Sequence, residues 1–410
     1  MINKKLKEKY AELALRTGVN LQEGQALLVN APIEGADFTR IVVRKAYELG
    51  AMNVHVHWVD DELTLLKYEH APDDVLGHYP EWLVNMQESF AEDGGAVLSI
   101  RSTNPDLLER IDPKKVALAS KASAQALSNF RKYIMNDKIT WSIISIPTGD
   151  WAQKIYPNTS RDQAMKQLWE AIIKIVRVDQ KDPILAWREH NDSLKKAREI
   201  LNNRAYKSLI FTAPGTNLEI GLPDGHIWKG GAAQSEKGIS FNPNMPTEEV
   251  FTVPHKYNVN GTVQSTKPLN YGGNIIDNFS LTFKDGKVVD FHAEKGEETL
   301  KHLLDTDEGA RRLGEVALVP HESPVSQSGL IFYNTLFDEN ASCHIALGKA
   351  YPTNIEGGSA MDEKALDEHG INDSLVHVDF MIGSEELDID GVKADGTKEP
   401  VFRKGTWAIE

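Results

Sequence analysis

Four apolar segments in the second half of the chain each carry one or two groups able to bind a metal. Glu248 and Glu249 precede Val250-Phe251-Thr252-Val253-Pro254, Glu315 lies in Gly314-Glu315-Val316-Ala317-Leu318-Val319-Pro320, and His344 lies in Ser342-Cys343-His344-Ile345-Ala346-Leu347-Gly348. In Val376-His377-Val378-Asp379-Phe380 the two polar residues are spaced by two, which puts His377 and Asp379 on one face of a strand. A carboxylate or imidazole among Val, Ile, Leu and Phe must be paired, protonated or bound to a metal, because isolation in a dry site costs several kcal/mol. A pair of divalent ions of the Zn²⁺, Co²⁺ or Mn²⁺ kind would account for all these segments together. It would draw mixed carboxylate and imidazole donors from separate strands, with one carboxylate bridging. Taken singly, each segment also reads as a half-buried strand with a solvent-facing polar residue, and the dispersed spacing is no signature of the H-E-x-x-H kind. Alternation places Glu249 with Phe251 and Val253, and Glu248 with Val250 and Thr252; both faces hold apolar groups, so the pattern leaves the choice between the two glutamates open.

Other candidates weigh less. His55-Val56-His57 sets two imidazoles on one strand face with Asp60 and Asp61 close behind, but no third ligand is fixed by spacing and a structural role is favoured. Ala31-Pro32-Ile33-Glu34-Gly35 follows a strand and opens a helix, yet it lacks a glycine fingerprint, and Glu34 would repel a phosphate. His255, His292, His321 and His369 fall near turns or helix ends, with His321 the nearest spare ligand to the Glu315 segment. Glu248 and Glu322 are both near the candidate ligands in sequence, and neither is singled out as a general base. Trp228 and Tyr271, on Gly-rich segments, either line an entrance or pack under loops. The single cysteine, Cys343, excludes an intrachain disulfide and a thiolate-rich metal site; beside His344 but on the opposite face, it reads as a packing residue.

The chain has 410 residues and a formal net charge of −15, so it lacks the Lys/Arg surplus that displaces counterions from nucleic acid. The charged opening stretch has no apolar core of a signal peptide, and no apolar run approaches the roughly 18 residues of a membrane span. A cytoplasmic protein with neither nucleic-acid nor membrane partner is expected.

The elements that must position these residues divide in two. Residues 1–185 alternate short apolar strands (Gln25 to Asn30, Asn53 to Trp58, Ala96 to Ile100, Trp141 to Ile146) with helices such as Asp37 to Leu49 and Pro113 to Tyr133. This is the pattern of an α/β domain with a mostly parallel sheet. A charged amphipathic helix is expected from Asp182 to Arg204, linking to residues 186–410. There strands bounded by Gly, Pro and Asn, with few helices besides Glu297 to Leu304 and Asp362 to His369, predict an α+β domain with a largely antiparallel sheet carrying the metal site.

With these segments in view, the chain resembles, essentially end to end, the M29 family of metallo-aminopeptidases, of the aminopeptidase T, aminopeptidase S and PepS type. The resemblance is carried by Tyr10-Ala11-Glu12-Leu13-Ala14 with Gly18-Val19 and Gly24, by Thr247-Glu248-Glu249-Val250-Phe251-Thr252, by Leu313-Gly314-Glu315-Val316-Ala317 and by His377-Val378-Asp379. The proline after the second of these motifs falls one residue late, at Pro254. The resemblance implies two metal ions held by Glu249, Glu315, His344, His377 and Asp379, with Glu315 bridging. It places Tyr351, in Gly348-Lys349-Ala350-Tyr351-Pro352, beside the metals as a donor to the reaction's oxyanion, and implies a homodimer whose N-terminal domain helps enclose the site. The implied activity is release of N-terminal amino acids from peptides with a free N-terminus, through an activated water. The alternative is a dimetal amidase or other hydrolase acting on a non-peptide substrate.

Overall fold

The computed structural model describes residues 2–102, 104–271 and 274–409. The chain forms two compact units, Met1–His190 with Ala232–Pro246, and Asn191–Gly231 with Thr247–Glu410.

In the first unit, strands β1 (Ala26–Pro32), β2 (Asn53–Val59), β3 (Ala96–Arg101) and β4 (Trp141–Ser145) form a sheet of order β2-β1-β3-β4. All its pairings are parallel, as the alternation of short apolar runs with helices requires. Leu28, Val97 and Trp141 stand in register across three strands, and Phe90, Phe130, Tyr133 and Ile134 from the covering helices pack on them. The single helix expected over Pro113 to Tyr133 is two, Pro113–Ala126 and Ser128–Met135. Leu127, at φ −91° and ψ 13°, leaves the helical path between them, and the second piece presents Phe130, Tyr133 and Ile134 to the sheet. The returning segment adds a small ribbon of β7 (Ala233–Gln234) and β8 (Ser240–Phe241), two strands that follow β5 (Ser208–Ala213) and β6 (Thr216–Gly221) of the second unit in the chain. The helix Pro183–Arg204 contains the boundary between the units, and no helix among the described residues is long and apolar enough to cross a membrane.

The second unit is built from two antiparallel sheets. The larger runs β11 (Leu269–Tyr271), β12 (Asn274–Lys284), β10 (Val259–Gln264), β6 (Thr216–Gly221), β5 (Ser208–Ala213), β17 (Asp388–Val392), β18 (Lys398–Arg403) and β19 (Thr406–Trp407), with β13 (Lys287–Lys295) paired on β12. Asp285-Gly286 closes the β12–β13 hairpin with both residues at positive φ, 50° and 78°, the conformation this dipeptide adopts at least cost. The smaller sheet has the order β16 (His377–Met381), β15 (His344–Gly348), β14 (Leu313–Leu318) and β9 (Val250–Thr252).

Both sheets feed one core. Phe211, Leu218 and Phe279 from the larger meet Val250, Val316, Ile345 and Phe380 from the smaller, and the Phe279 and Phe380 rings lie 5.2 Å apart. Since successive strand residues point to opposite faces, committing these residues to the core turns the intervening ones outward. Glu315, Ala317, His344, Ala346, His377 and Asp379 therefore share the other face of the smaller sheet.

Candidate metal centre

A β-bulge decides which way Glu315 points. Leu313 pairs with Leu347, both in the core, but the register then shifts, so that Glu315 pairs with Ala346 rather than with Ile345. Gly314 is the extra residue. A Cβ there would lie 2.4 Å from the carbonyl oxygens of both Gly348 and Lys349, so the bulge needs glycine. Without it, simple alternation would aim Glu315 into the core beside Ile345.

Small residues leave room between the polar ones. Ala346 is the register partner of Glu315 on one side and of Asp379 on the other; Gly348 pairs with His377, and Ala317 with both His344 and Phe251. Glu249 precedes β9 and reaches His344, its Oε2 lying 3.1 Å from the imidazole Nε2. The Glu315 oxygens diverge: Oε1 is 3.7 Å from His344 Nε2 and Oε2 is 3.7 Å from His377 Nε2. His377 Nε2 is also 3.4 Å from Asp379 Oδ1. Two groups of potential ligands result, Glu249/Glu315/His344 and Glu315/His377/Asp379, each with its donor atoms within 4.8 Å of one another and with Glu315 in both. The first group is buried; the second adds to Glu315 the two residues His377 and Asp379 of the edge strand β16, where His377 keeps 23% of its side-chain surface.

The donor set suits divalent ions. Each imidazole is tied through Nδ1 to a backbone carbonyl, His344 to Ser342 O at 3.2 Å and His377 to Lys349 O at 2.6 Å. A carbonyl can only accept, so Nδ1 carries the proton and, in the neutral ring, Nε2 offers a lone pair toward the carboxylates. Asp379 Oδ1 is buried and has no hydrogen-bond donor among the described residues. A buried oxygen of this kind, with two further carboxylates and two oriented imidazoles grouped with it, fits nitrogen and oxygen coordination of Zn²⁺, Co²⁺ or Mn²⁺.

The charges of the metal-free chain are strongly coupled. Burial alone would lower both histidines, but hydrogen bonding to Glu249 and Glu315 holds His344 well above its ordinary value. Asp379, helped by Glu315, likewise pushes His377 up to about 10. Burial raises the Glu315 carboxyl, with Asp379 and Glu249 adding to the rise against the pull of His344. Asp379 is lowered, burial being outweighed by His377.

Tyr351 stands at its margin. Its ring is 5.1 Å from that of His377 and 6.5 Å from Phe251, edge-on to both. Burial first, and then Glu315 and Asp379, raise its hydroxyl above the ordinary value.

Glu339 also faces the site, and nothing in the sequence marks it. It begins the short 3-10 turn Glu339–Ala341 in a polar run without strand or helix periodicity. Burial, then the nearby charges of Glu249 and Asp379, raise its carboxyl well above the ordinary value.

The remaining candidates lie elsewhere. His55 and His57 sit on the exposed strand β2, with His57 Nδ1 3.3 Å from Asn30 Oδ1, and join no group of three potential ligands among the described residues. His321 pairs with Ser326 and Glu322 accepts from Thr406. Trp228 is fully buried and Tyr271 packs against the same core. Cys343 is core, its thiol pushed up to about 12 by burial.

Comparison with known proteins gives one consistent result. The family described as thermophilic metalloprotease (M29) matches residues 3–407. Aminopeptidase 2 of Geobacillus stearothermophilus is 60% identical over 403 residues, aminopeptidase AmpS of Bacillus subtilis 51% over 400, and aminopeptidase T of Thermus thermophilus 45% over 402, each alignment covering 98% of both chains. The solved structure of wild-type AmpT from Thermus thermophilus superimposes with a TM-score of 0.94 at 44% identity, covering 99% of this chain and 100% of that one.

Proposed function

The chain belongs to the M29 family and is a metalloaminopeptidase, a peptide-bond hydrolase that uses divalent metal; from the geometry of its second unit we propose that two ions act together, sharing Glu315. The observation that carries this reading is the divergence of the Glu315 oxygens toward two histidines, each of which has a second carboxylate of its own. Glu249 and His344 would complete one position, and His377 and Asp379 the other.

When bound, such ions supply Lewis-acid charge to the scissile carbonyl and acidify the attacking water. The residues of the chain do the rest. The Nδ1–H bonds to Ser342 and Lys349 hold the imidazoles in the tautomer that keeps Nε2 free. The Tyr351 hydroxyl donates to the oxygen on which negative charge develops. Glu339, close to the ligand carboxylates, takes the proton released by the water and hands it to the departing amine. The surplus of carboxylates attracts the substrate's free ammonium. Zn²⁺, Co²⁺ or Mn²⁺ suits the donors. The enzyme is proposed to work in the cytoplasm, in keeping with its single buried cysteine, and, as the family resemblance implies, as a homodimer.

The test is hydrolysis of free-amine and N-acetylated aminoacyl chromogenic substrates by chelator-stripped protein, before and after each metal is restored. Metal-dependent cleavage confined to free amines is expected. Equal cleavage of acetylated substrates would replace the aminopeptidase reading with that of a general dimetal amidase.

A further inference from the structure

Asn340 is completely buried within the turn that carries Glu339. Its side-chain Oδ1 accepts the Glu248 N–H at 2.6 Å. Its Nδ2 donates to Leu336 O at 3.0 Å and lies 3.5 Å from Glu339 Oε1. Its backbone carbonyl accepts from Ser323 Oγ at 2.9 Å. Only one orientation of the amide satisfies both a donor at Glu248 and an acceptor at Leu336, so oxygen and nitrogen are assigned by their partners. One rigid planar group therefore joins the backbone just before Glu249 to the turn that begins at Glu339.

Both side chains are carboxylates, and neither can donate a hydrogen bond to the other when ionised. A neutral amide can fix their separation without cancelling either charge. An aspartate would add a third negative charge, a glutamine would carry the amide one methylene too far, and a serine would not span the gap. We propose that Asn340 is a positioning residue that holds the ligand Glu249 in place at the metal site, and Glu339 beside it, by clamping the Glu248 amide to the Glu339 turn. This rests on the metal-site reading above.

The experiment titrates chelator-stripped full-length protein with Co²⁺ alone, followed by absorption, beside thermal unfolding of the metal-free chain. Three variants are compared: Asn340→Ala, Asn340→Asp and Ser323→Ala. The last removes a hydrogen bond to the same turn without touching the amide clamp. Asn340→Ala is expected to weaken Co²⁺ binding about 10- to 100-fold, whereas Ser323→Ala lowers the unfolding temperature but leaves affinity within about twofold of wild type, the margin expected when the amide clamp is intact. Asn340→Asp keeps the acceptor for Glu248 and loses the donor. Its extra negative charge alone would tighten cation binding, so weaker binding in this variant supports positioning, and it decides the matter if Asn340→Ala does not fold. Unchanged affinity in folded Asn340→Ala, tighter binding in Asn340→Asp, or an equal loss in Ser323→Ala overturns the proposal. Failure of the wild-type protein to bind Co²⁺ would overturn the metal site itself, and the role of Asn340 with it.

Discussion

Glu315 and Asp379 flank Ala346 from opposite sides, each its register partner on a neighbouring strand. The methyl group of Ala346 therefore lies between the two carboxylates on the sheet surface. Filling it with Ala346→Leu should weaken Co²⁺ binding by about 100-fold, at a stability cost of about 1–3 kcal/mol for the added volume. Metal titration and thermal unfolding read the two effects separately. Native affinity in this variant would mean that the ions do not lie over Ala346.

The bulge at Gly314 supplies a second expectation. A methyl group there collides with two backbone carbonyl oxygens, so Gly314→Ala must shift the strand rather than a flexible side chain. Loss of about 1–3 kcal/mol is expected from overpacking, and metal affinity should fall with it because Glu315 is re-aimed. A destabilised variant that binds metal normally would show that the bulge is not what directs Glu315.

Tyr351→Phe isolates the hydroxyl. Turnover should drop by about 10²- to 10³-fold, while KM and metal content stay near wild type, since the ring still packs on His377 and Phe251. Steady-state kinetics on the free-amine substrate checks this, and full turnover would remove Tyr351 from the mechanism.

The histidines make metal uptake pH-dependent. In the metal-free chain His377 is pushed up to about 10 and His344 is held well above its ordinary value, so at neutral pH metal must displace protons from both. Calorimetric titration in buffers of different ionisation enthalpy should report proton release, and affinity should weaken as pH falls. The sign for stability follows from linkage. A folded value raised above the unfolded one contributes stability that is complete below the unfolded value of about 6.5. That stability is lost as pH rises through the folded value. The metal-free protein should therefore lose thermal stability between about pH 7 and pH 10, beyond any loss seen in the metal-loaded form. Uptake without proton release would contradict the charge states described.

Much of this architecture is legible in the sequence because its elements are locally consistent. The helix Glu297–Leu304 lies where its apolar spacing places it, and the four parallel strands fall within about two residues of their apolar runs. His377 and Asp379 are readable as a pair because strand alternation fixes them on one face. Glu315 is readable as an isolated charge in an apolar strand, but its direction is not. Alternation counts residues, and the bulge at Gly314 inserts one. Glu339 and Asn340 lie in an irregular polar turn where no periodicity exists to expose them, and their roles come from contacts far away in sequence, such as Asn340 with Glu248. The choice between Glu248 and Glu249 likewise needs tertiary information, since both faces of the strand that follows them carry apolar groups.

The central claim is that Glu315 is shared by two ions. Its most direct test is the metal content of wild-type and Glu315→Gln protein, each dialysed to equilibrium against Co²⁺ or Zn²⁺ and analysed by mass spectrometry of the elements. Two ions per wild-type chain and one or none in the variant are expected. A fully active wild-type enzyme holding a single ion, or a Glu315→Gln variant that retains two, would contradict it.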